Sequence, residues 1–318
     1  MQPRHTPAQL DTWRRDGVVI IPEFFTPQEV AAVQADFDKV FARAGADEPL
    51  VKKKEGETGR FNVAQFTGVQ SVPVDCSPAL NLAGAHPALI AFAAEALGTD
   101  DLFLYQCQAW GKFTGDADYD QPFHCDFVNH TLTSPSDEDA LNSVTYILLF
   151  SDVTEAHGPT HYVTRPDSLK VAGPEATMSG DPALQEKLRP YERSAAGPAG
   201  ALFVYGIDIW HRGTNLVAPG GHRYVMTVTY RARTNTAINH TVWPIQHMKP
   251  WRIIFENGAP EQLALFGVQK PGDPFWTETT LRRTQARYPN WDMTLWREAM
   301  ASRSGGQSEA RAELQVQR

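Results

Sequence analysis

The stretch DQPFHCDFVNH, residues 120–130, sets a histidine and an aspartate one residue apart, at His124 and Asp126. On an extended backbone, residues two apart point to the same side, so both side chains can aim at one point while Cys125 faces away. An imidazole nitrogen and a carboxylate oxygen are two ligands for a divalent metal. A second histidine would complete the two-histidine, one-carboxylate set with open positions that suits non-haem Fe(II). In a chain with ten histidines the pair alone is weak evidence, because chance supplies such a spacing easily. The best third ligand is His211, at the end of an apolar strand in GALFVYGIDIWHRGTN. Twelve residues later, Arg223 shares a strand face with Val225, Thr227 and Thr229 in HRYVMTVTYRA. An arginine turned into a barrel interior needs a carboxylate, since an unpaired buried charge is costly. A bound dicarboxylate would supply one, gripped by a bidentate fork that lysine cannot copy.

The elements that must position these residues can be read from caps and periodicity. Thr6-Pro7 predicts a helix start, and Gly17 its close. VVIIPEFF follows as a short strand, and Thr26 with Glu29 has the form of a capping box opening a helix to about Arg43. Residues 86–98 form another helix by apolar spacing and terminal glycine. From residue 100 the texture changes to strands, over 102–113, 143–150, 160–164, 200–206 and 222–232, separated by turn-rich segments. That pattern, with no βα alternation, predicts an antiparallel sandwich or barrel. Residues 165–199 read as a long polar loop and a candidate lid. The expected organisation is one domain over 1–300, with N-terminal helices over about 6–98, a core over about 100–235 and an extension over about 236–300. A polar tail, 301–318, follows.

Composition narrows the class. At 318 residues, 42% hydrophobic, with eight tryptophans, the chain can bury a substantial core. A net charge of −8 argues against a nucleic-acid surface. Three cysteines are too few and scattered for a disulfide framework or a zinc ribbon. The N-terminus has no apolar h-region and no apolar run approaches a membrane span, so a cytoplasmic protein with no membrane partner is expected. Nothing in the sequence bears on oligomeric state.

The order of these features, His-x-Asp, a strand-rich interval, WHRGTN and a downstream arginine, resembles the phytanoyl-CoA dioxygenase family over roughly residues 10–235. GVVIIPEFFTPQEV and VTYILLFSDVTEAHGPTHYV strengthen the likeness. The resemblance implies a mainly β fold with flanking helices, a double-stranded β-helix (jelly roll, cupin-like). It implies Fe(II) and O2, with 2-oxoglutarate as cosubstrate, in the hydroxylation of an aliphatic C–H of a small-molecule metabolite, with release of succinate and CO2. Carried over residue by residue, His124, Asp126 and His211 become the iron ligands and Arg223 the partner of the far carboxylate of 2-oxoglutarate. Gln106 and Gln108 would face the pocket, and Ser143, Thr145 and Thr214 would assist the cosubstrate. Phe123, Phe127 and Asn129 flank the ligands as candidate substrate contacts. The chain departs from the family at Arg165-Pro166-Asp167-Ser168, where a Gly-Ser-His turn is usual, which bears on the pocket rim. Related halogenases lack the carboxylate ligand, so Asp126 favours hydroxylation, desaturation or ring closure over halogenation.

Two other classes compete with this reading. One is a divalent-metal jelly roll with non-oxidative lyase or hydrolase chemistry, which would need no dicarboxylate clamp at Arg223. The other is a catalytically silent member acting as a binding protein, which would not need a complete ligand set.

Overall fold

In the computed structural model the chain is described over residues 3–41, 69–115 apart from 73 and 75, 120–174, 181–238 and 268–303, with four positions between 255 and 263. Most of the polar tail 301–318 lies outside these residues.

The N-terminal caps act as the sequence predicts. Helix α1 (Pro7–Asp16) opens on a Thr6/Gln9 capping box and closes on Gly17 at φ 72°, a left-handed conformation that favours glycine. A Cβ at Gly17 would also meet the Ile209 side chain at 2.3 Å, so the position has two reasons to be glycine. Strand β1 (Val18–Ile21) follows, then α2 (Pro27–Val40) from the Thr26/Glu29 capping box. Helices α3 (Pro78–Ala83) and α4 (Pro87–Leu97) complete the helical layer.

The strands form two antiparallel sheets. Strands β2 (Gln70–Ser71), β3 (Leu102–Phe113), β4 (Ser143–Leu149), β7 (Leu202–Gly206) and β9 (His222–Ala232) join β1 in the order β1-β7-β4-β9-β3-β2. The smaller sheet runs β6 (Arg193–Ser194), β5 (Thr160–Tyr162), β8 (His211–Gly213). The fold is thus a jelly roll with flanking helices, as expected.

Period-two alternation decides which residues meet the helices and which meet the site. Val144, Tyr146 and Leu148 of β4, Leu202 and Val204 of β7, and Met226 and Val228 of β9 pack outward on α1–α4. Phe37 and Phe92 are fully buried there, each contributing roughly 1.5–3 kcal/mol by leaving water. The opposite face carries Ile147, Leu149, Phe203, Tyr205, Arg223, Val225 and Thr227 toward an interior cavity. In β3 the register shifts between Leu104 and Gln106, leaving Tyr105 as the extra residue of a β-bulge. Beyond the shift Gln106, Gln108 and Trp110 line the cavity, and before it Phe103 and Tyr105 join the cluster around Phe127.

Residues 165–199 are not the continuous loop the composition predicts. They hold α6 (Arg165–Ala172), α7 (Pro182–Leu188) and β6. Both helices are short, polar and proline-opened, so they lack the length over which helical periodicity becomes visible. The unusual Arg165-Pro166 forms the first turn of α6, where Arg165 pairs with Asp208 at 2.8 Å. The C-terminal extension builds a second core from Phe255, Leu263, Trp276, Trp291 and Trp296, closed onto Leu132. Helices α8 (Glu278–Arg287) and α9, over 294–303, frame it.

Residues Pro78–Leu97 have the length and composition of a membrane span. In the fold they are two helices that bury Leu80, Leu89, Phe92 and Leu97 against the sheet, the behaviour of core helices.

Glu29 ties the helical layer together. Its carboxylate accepts from Arg4 at 2.7 and 2.9 Å and from the Thr26 N–H at 2.8 Å, with the His86 ring at 3.2 Å. The Arg4 hydrogen bonds, against the opposing effect of burial, hold its carboxyl at about 2, below its ordinary 4.5. A carboxyl depressed on folding adds stability that is present above its unfolded pKa and is lost as pH falls through the folded one. Urea unfolding should therefore show stability falling from pH 4.5 towards about 2. Glu29→Gln should be less stable at neutral pH and lose this share of the acid dependence.

Candidate metal centre

His124 and His211 face each other across an isolated antiparallel bridge and exchange both backbone hydrogen bonds, N–H to carbonyl at 2.9 Å in each direction. The bridge adds the His124 segment to the smaller sheet beside β8 and sets the two rings 4.5 Å apart, centroid to centroid. Each ring is then oriented the same way: His124 Nδ1 lies 2.9 Å from the Pro122 carbonyl, and His211 Nδ1 lies 2.9 Å from the Ile209 carbonyl. A carbonyl only accepts, so both Nδ1 atoms carry the proton and both Nε2 atoms present lone pairs. This is the outer hydrogen bonding that prepares histidine for a metal.

Asp126 completes the set. Its Oδ1 lies 3.5 Å from His211 Nε2 and 3.9 Å from His124 Nε2, and the three ligand atoms all fall within 4.8 Å of one another. The backbone at Asp126 is helical (φ −70°, ψ −21°) rather than extended, because Asp126 leads into α5 (Phe127–His130). Cys125 still faces away: its buried thiol donates to the Asp208 carbonyl at 3.2 Å. Tyr205 donates its hydroxyl to Asp126 Oδ2 at 2.8 Å, leaving Oδ1 for the centre. Burial opposes the charge on Asp126, but attraction to His211, His130 and His124 in their protonated forms, with the Tyr205 hydrogen bond, outweighs it and holds the carboxyl below its usual range. Among the described residues this is the one trio of histidine, cysteine and acidic side chains arranged to hold an ion.

The trio opens on the interior cavity, whose wall also includes Gln106, Gln108, Asn129, His130 and Arg223. Arg223 is its one cation and Asp126 its one carboxylate among the described lining residues. No ion pair forms at Arg223 among those residues, and its buried Nε has no hydrogen-bond partner. Burial without a compensating carboxylate pulls its pKa down to about 10. Gln106 accepts from the Thr229 hydroxyl and donates to Gln108, each at 3.0 Å, so the glutamines form one wall.

Other expected positions lie off the cavity wall. Phe123 and Phe127 are core residues in the cluster behind the ligands, covered by Arg212 and Arg287 respectively. Thr214 donates to the Pro159 carbonyl at 2.7 Å, which commits its hydroxyl to the turn, and Gly213 takes the lining position. Ser143 and Thr145 are buried deeper along β4 than Ile147 and Leu149, which line the cavity in their place.

Two pairings escaped the sequence reading. Tyr205 could have been found from alternation, since it shares a strand face with Phe203. His130 lies one helical turn beyond Asp126, and its Nδ1 is 2.6 Å from the Tyr105 hydroxyl. That length suits an O–H donor better than an N–H donor, so Tyr105 donates and the proton of His130 resides on Nε2. The bulge in β3 is what turns Tyr105 to this side.

Two neutral imidazole lone pairs, one carboxylate oxygen and an uncompensated arginine in one cavity fit a divalent ion with a carboxylate-bearing cosubstrate. Comparison with known proteins agrees on the fold. EctD from S. alaskensis, solved with 2-oxoglutarate and 5-hydroxyectoine, superposes with TM-score 0.54 at 18% identity, covering 74% of this chain and 78% of EctD. The nogalamycin-biosynthesis epimerase SnoN, solved with Fe3+ and alpha ketoglutarate, gives 0.52 at 18%, covering 71% and 83%. The carbocyclase SnoK of the same biosynthesis gives 0.52 at 18%, covering 72% and 87%. Comparison with curated proteins gives no match. The model of the phytanoyl-CoA dioxygenase family matches residues 13–223, about two thirds of the chain, and the protein belongs to that family.

Proposed function

We propose that the protein is an Fe(II)/2-oxoglutarate-dependent dioxygenase that hydroxylates an aliphatic C–H of a small-molecule metabolite. The observation that carries this reading is Arg223, a cation on the wall of the trio's cavity with no carboxylate of the protein to meet it. A bidentate arginine clamp suits the distal carboxylate of 2-oxoglutarate. Non-oxidative metal chemistry would leave that charge without purpose.

His124, Asp126 and His211 would hold the iron through Nε2, Oδ1 and Nε2. With iron, 2-oxoglutarate and O2 bound, oxidative decarboxylation yields succinate and CO2, one oxygen atom entering succinate and the other the substrate. The residues of this chain supply position. Tyr205 keeps one carboxylate oxygen of Asp126 away from the iron side, and the paired carbonyls of Pro122 and Ile209 keep both rings in register. The glutamine wall, Asn129 and the Nε2–H of His130 offer neutral hydrogen bonds to the substrate. With its one cation assigned to the cosubstrate, the described wall suits an uncharged, oxygen-bearing metabolite over a polyphosphate ester. The folds of SnoN and SnoK host epimerisation and ring closure, so the fate of the substrate after C–H cleavage is set by how these contacts hold it. All three cysteines are free thiols, in keeping with a cytoplasmic location.

Under anaerobic conditions, Fe(II) and 2-oxoglutarate together should give the visible charge-transfer band of the chelate with wild type and not with Asp126→Ala or His211→Ala. A wild type without the band, or variants that keep it, would sink the oxygenase reading and leave a binding or non-oxidative protein. Arg223→Met should weaken 2-oxoglutarate binding by about a hundredfold, as expected for a lost charge-assisted bidentate pair, with metal affinity unchanged. Equal titration curves for the two proteins would refute the clamp. In a screen of uncharged oxygen-bearing metabolites read by succinate formation, His130→Leu should cost about tenfold in kcat/KM, the worth of one hydrogen bond, and leave the band intact.

A further inference from the structure

The matched family region ends at residue 223, yet the C-terminal extension reaches back to the turn that carries Asp126. Arg287, the last residue of α8, is half-buried, and no acidic side chain pairs with it among the described residues. Its guanidinium donates to the backbone carbonyls of Thr131 at 3.0 Å, Thr133 at 2.7 Å and Val128 at 2.9 Å. The same group lies 5.6 Å from the centroid of the Phe127 ring.

These contacts sit on the segment leaving the metal ligand. Asp126 caps α5 through its own carbonyl, which accepts from the Asn129 N–H at 2.9 Å. Phe127 donates its N–H to the Ile207 carbonyl at 3.2 Å. Val128 is the one acceptor within α5, where the last carbonyls have no helical partner, and Thr131 and Thr133 lie just beyond it, so the guanidinium ties the end of the turn to the chain that follows. The grip continues past the turn: Thr284 donates to the Ser134 hydroxyl at 3.2 Å, Thr277 donates to Asp137 at 2.7 Å, and Leu132 enters the second core.

We infer that Arg287 is a positioning residue of the metal centre, holding α5 so that Asp126 presents Oδ1 to the ion, and that the extension is thereby part of the active site. The inference rests on His124, Asp126 and His211 being metal ligands, and it concerns the protein without cosubstrate or substrate. A guanidinium is suited to the task because its planar fork reaches carbonyls in several directions, and its face lies on Phe127. Glutamine in its place would leave carbonyls unmet and free the turn to shift.

Titration with Co(II), which reports ligand geometry in its visible bands, tests this without 2-oxoglutarate. Arg287→Gln should bind Co(II) roughly tenfold or more weakly, the usual cost of losing an outer contact of a metal site, with altered bands. Arg287→Lys, a milder change, covers the case in which the glutamine variant does not fold, and should show a smaller loss in the same direction. Trp296→Leu, which loosens the second core without touching Arg287, should lower Tm and leave the Co(II) affinity and bands of the wild type. Wild-type affinity and bands in the folded Arg287 variants would overturn the inference, as would an equal change in Trp296→Leu. A wild type that takes up no Co(II) would overturn the metal centre and this inference together. Failure of the oxygenase reading alone would leave Co(II) binding intact and show only when Fe(II) and 2-oxoglutarate are added.

Discussion

The reciprocal backbone hydrogen bonds between His124 and His211 are the constraint on which the site depends. They join a segment with no long strand of its own to the edge of the smaller sheet, so two histidines distant in sequence become direct neighbours. An antiparallel pair that exchanges both hydrogen bonds holds facing Cα atoms about 5.5 Å apart, within reach for two imidazoles to meet at one point. The carbonyls two residues upstream of each ring then set both tautomers. Once these rings are placed, Asp126 needs only the turn into α5 and the Tyr205 hydroxyl to complete the trio.

Two half-buried arginines show how the same cost is met in different ways. Burying a guanidinium without a counter-charge is unfavourable, and burial pulls the pKa of both Arg223 and Arg287 down. Arg287 is satisfied by three backbone carbonyls and two aromatic faces, so its role is internal to the chain. Arg223 lines the cavity onto which the trio opens and keeps a buried Nε without a hydrogen-bond partner. The hydrogen bonds around each arginine, and not burial itself, distinguish the two.

The two halves of the molecule reach the site by different routes. The helical layer α1–α4 supports the outer face of the large sheet and thereby holds the strand faces that look into the cavity. The C-terminal extension meets the turn after Asp126 through side chains of α8, Thr284 on Ser134 and Arg287 on three backbone carbonyls, while its second core packs against Leu132 further along. Helix α7 adds a third support, because Gln185 brackets the backbone of Phe123 with two hydrogen bonds, at 2.7 and 2.9 Å. The His124–Asp126 segment is therefore held on several sides, the kind of support that fixes side-chain geometry in advance.

Much of this was legible in the sequence. Capping boxes, glycine stops and period-two alternation are local signals, so α1, α2, α4, β3 and β9 stand close to where the residues put them. The family resemblance then brought His124, Asp126, His211 and Arg223 to one centre, because their order along the chain survives where overall identity does not. Tertiary structure decided the rest. Only packing could turn Phe123 and Phe127 into core, hand the lining positions to Ile147 and Leu149, and make helices of the polar 165–199 segment. Only a bulge could aim Tyr105 at His130, since one extra residue changes which face a strand presents without marking the composition. Local signals determine which elements form and which way they alternate. Which side chain meets which across 80 or 160 residues, as Tyr205 meets Asp126 with a separation of 79 and Arg287 meets Val128 with one of 159, depends on how the sheets close.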